Sequence, residues 1–141
     1  MKQRKLVLFV CVGNSGRSQI AEALFNSKAP EGYIAISAGT EPAKEINQVV
    51  AQAMKEKGFD LSTKRPKAIE DWMYREAERI VLMGCSESSC PATFLTKIED
   101  WRIEDVKGKQ IEDVRRIIGV IEEKVNALVE QLAALQNKKD K

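Results

Sequence analysis

"LVLFVCVGNSGRSQIAEALF", residues 6–25, contains the change of rhythm that decides the fold. Its first seven residues are apolar without alternation, the pattern of a central parallel strand covered on both faces. From Ser18 the spacing becomes helical, with Ile20, Leu24 and Phe25 on one face. Between strand and helix lies a short loop holding Gly13 and Gly16 and no proline. A strand that turns through such a loop into a helix makes a ligand site at the carboxyl edge of a parallel sheet.

The same alternation continues outward from this stretch. "GYIAISAGT" (32–40) predicts a second strand, and residues 42–60 a helix opened by Pro42 and closed by Gly58. Residues 62–77 read as a loop with a short helix, and 78–85 as a third strand. A polar loop follows at 85–94, then a short fourth strand with its loop at 97–108. Residues 110–135 form a long amphipathic helix, and 136–141 a solvated tail. Strands alternating with helices predict an α/β fold, a single-domain three-layer sandwich over residues 1–135. Its four-stranded parallel sheet is expected to be flavodoxin-like.

Composition narrows the chemistry. The chain has 141 residues, the size of one domain, and is 43% hydrophobic and 31% charged. Its 23 basic and 21 acidic residues leave a net charge of +2, too balanced for a nucleic-acid partner. No apolar run reaches the length of a membrane span, so no membrane partner and a cytoplasmic location are expected. There is no histidine, which excludes a Ser-His-Asp triad, a Cys-His pair and a histidine metal site within this chain. Three cysteines, Cys11, Cys85 and Cys90, are too few for a four-thiolate site and point toward thiol chemistry.

Cys11 ends the first strand, and Arg17 follows six positions later with Ser18 behind it. The backbone N–H groups of Val12, Gly13, Asn14, Ser15, Gly16 and Arg17 can converge on one point, because no proline removes a donor. Such a nest at a helix N-terminus binds tetrahedral oxyanions, and the Arg17 guanidinium adds a bidentate fork. The same donors favour a thiolate at Cys11 over a thiol that ordinarily ionises near about pH 8.5. Asn14 and Ser18 stand behind them, Asn14 to hold the loop open and Ser18 to donate toward the Cys11 sulfur. The plainer alternative is a tight turn around a buried, inert cysteine.

"VCVGNSGRSQIAEALF" followed by "AISAGT" resembles the low-molecular-weight protein tyrosine phosphatase superfamily, over Lys5 to about Leu132. The resemblance implies the phosphotyrosine phosphatase I type of fold and two branches, phosphatases and thioredoxin-coupled arsenate reductases. Phosphatases carry proline after the motif's Arg-Ser, whereas the reductases carry glutamine, as here at Gln19. The reductases also carry a cysteine pair after the third strand, matched by Cys85 and Cys90 of "VLMGCSESSCPAT". The late tyrosine pair of the phosphatases is missing, since no tyrosine follows Tyr74.

The resemblance implies a relay. Cys11 attacks arsenate held by residues 12–17, Cys85 attacks Cys11, and Cys90 attacks Cys85. A thioredoxin- or glutaredoxin-like donor closes the cycle, with no bound cofactor and the chain acting as a monomer. Asp105 of "EDWRIEDVKGK" (99–109) matches the catalytic acid, although Val106 stands where the family has proline, and Glu104 or Asp100 compete for the role. Where many relatives place a second loop cysteine, this chain has Gly16. Some reductases bind a potassium ion. Asn14, Glu22 and Ser37 match three of its ligands, and Lys67 falls at the fourth, where its ammonium is expected to replace the ion. The alternative function is a phosphatase that hydrolyses phosphotyrosine or small phosphate esters through a Cys11 phosphocysteine. A third reading is an oxyanion sensor docking through Glu112, Arg115 and Arg116, which otherwise form a solvated helix face.

Overall fold

The computed structural model describes residues 4–84 and 97–139. In chain order the elements are β1 (Lys5–Cys11), α1 (Arg17–Lys28), β2 (Tyr33–Gly39), α2 (Gln48–Glu56) and α3 (Asp71–Glu76). There follow β3 (Ala77–Leu82), β4 (Ile98–Asp100) and α4 (Ile111–Lys139). The four strands form one parallel sheet in the order β2-β1-β3-β4. β1 is therefore central, which explains its unbroken apolar run.

Alternate residues of β1 serve two cores. Val7, Phe9 and Cys11 pack with Leu24 and Phe25 of α1 and Ile117, Ile121 and Val125 of α4. Leu8 and Val10 pack on the other side with Met73 of α3 and Ile80 and Leu82 of β3. Phe9 is fully buried, meets Phe25 edge-on at 6.1 Å and lies 5.6 Å from the Trp101 ring. Burying one such side chain stabilises the fold by about 1.5–3 kcal/mol. The sandwich thus has α1 and α4 on one face of the sheet and α3 on the other, with Cys11 at the end of the central strand.

Several boundaries differ from the sequence reading, among them the end of α2 at Glu56 and of β3 at Leu82, and two bear on the site or the tail. The second helix starts at Gln48, not at 42, because the backbone of residues 40–47 is engaged elsewhere. Thr40, Glu41, Ala43 and Asn47 donate their N–H groups to the carbonyls of Cys11, Val12, Gly13 and Ser15. Asn47 then caps α2, its side chain accepting from Val50 N–H at 3.1 Å. The last helix runs to Lys139, into the segment expected as a tail. No helix among the described residues is long and apolar enough to cross a membrane.

Candidate active site

Every carbonyl from Cys11 to Gly16 accepts a protein N–H. Besides the four bonds just described, the Asn14 carbonyl accepts from Gln19 Nε2 and the Gly16 carbonyl from Ile20 N–H. With the carbonyls tied back, the loop's amides turn the other way. Those of Gly13, Ser15 and Gly16 find no protein acceptor among the described residues. Gly16 begins α1 with no side-chain cap, and the first turn carries no acidic residue, so the positive end of the helix stays open. These donors line a cleft of about 510 Å³ bounded by Cys11, Val12, Gly13, Ser15, Gly16, Arg17, Glu41, Ala43, Asn47, Asp105, Val106 and Lys107.

Cys11 lies at the floor of the cleft, 3% exposed. Its sulfur accepts from the Asn14 N–H at 3.2 Å and lies 2.9 Å from Ser18 Oγ. Asn14 adopts a left-handed backbone with φ 51, one that asparagine tolerates better than most residues. Its Nδ2 donates to Ser18 Oγ at 2.7 Å.

Arg17 is 6% exposed and divides its five donors between two tasks. Nη1 donates to the carbonyls of Met83 at 2.6 Å, Ile103 at 2.9 Å and Gly84 at 3.3 Å, which pins the guanidinium between the end of β3 and the loop after β4. Gly84 has φ +96, and a Cβ there would sit 2.9 Å from the Ile103 carbonyl oxygen and 3.1 Å from Arg17 Nη1. The Nε and Nη2 edge makes no protein hydrogen bond among the described residues. A free Nε–Nη2 edge is the pair of parallel donors that takes two oxygens of one oxyanion.

Of the three candidate carboxylates, Asp105 lines the cleft. Its Oδ1 is 4.0 Å from Arg17 Nε and accepts from Lys107 N–H at 3.1 Å, and the side chain is 61% exposed. Glu104 points away, where hydrogen bonds from Lys109 and Arg116 hold its carboxyl below the usual range. Asp100 closes a turn onto the N–H of Arg102 and lines a separate cavity with Trp101 and Lys124. On the last helix, Arg115 is paired with Glu56 and Arg116 with Glu104, while Glu112 shares their turn.

The cation expectation is corrected in one residue. Glu22 is 5% exposed, and its Oε1 accepts from Ser37 Oγ at 3.0 Å. The ammonium beside its other oxygen belongs to Lys64, at 3.3 Å, not to Lys67. Lys67 contributes its backbone instead, donating N–H to Asn14 Oδ1 at 2.8 Å. With Asn14 Oδ1 also taking Gln19 Nε2 and Glu22 already matched, these oxygens face protein donors and do not fit a free potassium ion. No group of three or more Cys, Asp or Glu residues able to hold a metal occurs among the described residues. Cys85 and Cys90 lie outside the described residues.

Sequence reasoning missed Glu41, Ala43, Asn47 and Lys107 as walls of the cleft. Asn47 carried a usable signal, since asparagine immediately before "QVVAQAM" marks a helix N-cap. Glu41 and Lys107 carried none.

A cysteine at a strand-to-helix turn, roofed by inward amides and a pinned arginine with a free edge, defines a class of thiol sites for tetrahedral oxyanions. The chain belongs to the low molecular weight phosphotyrosine protein phosphatase family, whose sequence model matches residues 6–140. It is 33% identical over 120 residues to an arsenate reductase from Brevibacillus brevis, covering 83% of this chain and 88% of that protein. An arsenate reductase structure from Archaeoglobus fulgidus superposes with a TM-score of 0.75 at 37% identity, over 88% of this chain and 98% of that one. A thioredoxin-dependent arsenate reductase from Corynebacterium glutamicum superposes with a TM-score of 0.77 at 32% identity, over 95% of this chain and 64% of that one.

Proposed function

We propose that this chain reduces arsenate to arsenite in the cytoplasm, with Cys11 as the attacking thiolate. One observation favours a small inorganic oxyanion over an aryl ester: no aromatic side chain is among the described residues that line the cleft. The names of its reductase relatives and the Gln19 and Cys85–Cys90 pattern support the same branch. Arsenate would rest on the amides of residues 12–17 and on the free edge of Arg17. The Cys11 sulfur displaces a hydroxyl from arsenic(V), and Asp105 supplies the proton with which it leaves as water. Cys85 then attacks the Cys11 sulfur. The electron pair of the S–As bond stays on arsenic, which departs as arsenite, and a Cys11–Cys85 disulfide remains. Cys90 attacks Cys85 and frees the Cys11 thiolate. A dithiol donor of the thioredoxin or glutaredoxin type reduces the Cys85–Cys90 disulfide.

The test compares arsenate turnover in a thioredoxin system with aryl-phosphate hydrolysis, for wild type and Cys85→Ser. Arsenate turnover is expected to collapse in Cys85→Ser while slow phosphate hydrolysis survives. Brisk phosphatase activity without arsenate reduction in the wild type would establish the phosphatase alternative instead.

A further inference from the structure

Five of the six carbonyls from Cys11 to Gly16 are held by backbone N–H groups, and the sixth, that of Asn14, is held by a side chain, Gln19. Gln19 is fully buried in the first turn of α1. Its Nε2 lies 3.1 Å from Asn14 Oδ1, 3.3 Å from the Asn14 carbonyl and 3.3 Å from the Arg65 carbonyl. Three oxygens around one nitrogen fix which end of the amide is which. The Oε1 end has no hydrogen-bond partner among the described residues.

The grip on Asn14 has a direction. Gln19 Nε2 donates to Asn14 Oδ1, and Asn14 Nδ2 donates to Ser18 Oγ. With a lone pair of Ser18 occupied, its own proton is free for Cys11 Sγ at 2.9 Å. When the sulfur is a thiolate, Ser18 is the only possible donor in that contact. The same two bonds to Asn14 hold its φ of 51, which aims its N–H at the sulfur. Each donor in the chain polarises the next, so the effect reaches the sulfur although Gln19 does not touch it.

We infer that Gln19 is a positioning residue for the Cys11 thiolate, acting through Asn14 and Ser18. The inference rests on Cys11 being the nucleophile. A proline at position 19 offers no amide and cannot complete this chain.

The experiment follows the pH dependence of Cys11 alkylation by iodoacetamide in a Cys85→Ser/Cys90→Ser chain, where Cys11 is the sole thiol. Gln19→Met keeps the length and removes the donor, and Gln19→Glu is nearly isosteric and adds a negative charge. The second carries the test if the first does not fold, as judged by near-ultraviolet dichroism. Both are expected to move the alkylation midpoint upward by about one pH unit, Gln19→Glu further. The acid limb of kcat/KM for aryl phosphate moves with it, a loss of roughly tenfold per unit on that limb, while kcat/KM at high pH stays near wild type. In a Ser18→Ala background the Gln19→Met shift is expected to shrink. Folded variants with an unmoved midpoint, a loss equal at all pH values, or the same shift in both backgrounds overturn the inference. If wild-type Cys11 reacts no faster at neutral pH than a free thiol, the reading of Cys11 as nucleophile fails instead.

Discussion

Gly16 has no room to become alanine. A Cβ built there lies 2.5 Å from Val106 Cγ2 and 3.5 Å from Val50 Cγ2. Non-bonded carbons settle at about 3.5–4.0 Å, so Val106 must retreat by roughly 1 Å. Val106 is 3% exposed and has no solvent to move into, and overpacking of this kind costs about 1–3 kcal/mol. In a chain of this size that lowers Tm by roughly 3–10 °C. The retreat carries Asp105, its neighbour, away from Arg17 and the cleft. A misplacement of about 1 Å, on the group proposed to protonate the departing oxygen, predicts a roughly ten- to hundredfold loss in kcat. The loss is expected to be larger for aryl phosphates with poor leaving groups, which depend most on the acid. Adding Val106→Ala removes the colliding methyl and is expected to restore part of both Tm and kcat. Additive effects in the double variant, or a Gly16→Ala protein with wild-type Tm and kcat, would refute this reasoning.

Two further outcomes follow from the ion pairs. Lys64→Ala strips the ammonium from nearly buried Glu22 and is expected to lower stability by about 1 kcal/mol, the pair being partly solvent-screened, and potassium salts are expected to restore some of it. Wild type should melt alike in potassium and sodium salts, and a marked potassium preference there would contradict the assignment of Lys64. The carboxyls of Glu56 and Glu104 titrate below their ordinary 4.5 because of hydrogen bonds from Arg115 and from Lys109 and Arg116 respectively. Their stabilising contribution is therefore complete above that range and disappears as pH falls through the lowered values. Glu104→Gln should flatten the acid limb of a Tm-against-pH curve, most visibly at low salt, and an unchanged limb would sink the assignment.

The strand, the loop and the first helix were legible because period and glycine placement agree there: an apolar run, two glycines, then a 3.6-residue stripe. Residues 42–47 were not. Pro42 followed by "AKEIN" satisfies every local preference for a helix start, yet the N–H groups of Ala43 and Asn47 go to Gly13 and Ser15. A tertiary demand for donors outweighed the local propensity, and only the Asn47 cap recorded it. The choice among Asp100, Glu104 and Asp105 was equally hidden, because three carboxylates in one loop differ only in what stands across from them. The same holds for Lys64 and Lys67, three positions apart in a segment without periodicity, whose roles divide into a side-chain ammonium and a backbone N–H.

The site's chemistry comes from residues 11–18, but its polarity is imposed by a segment that performs none. Each peptide in the loop can turn either its N–H or its carbonyl toward the cleft, and a cradle of carbonyls would repel an oxyanion. Residues 40–47 decide the matter by capturing four carbonyls from behind, and the register of β1 with β2, which pairs Cys11 with Gly39, delivers those donors to the right height. Arg17 completes the arrangement by using Nη1 on three carbonyls while its Nε–Nη2 edge, 4.0 Å from Asp105, makes no hydrogen bond among the described residues. On the proposed function, a chain without histidine presents its nucleophile and binds its oxyanion with the same set of fixed dipoles. Nothing has to reorganise when charge moves from sulfur to the bound oxygens, which is the condition under which such dipoles contribute most to a reaction.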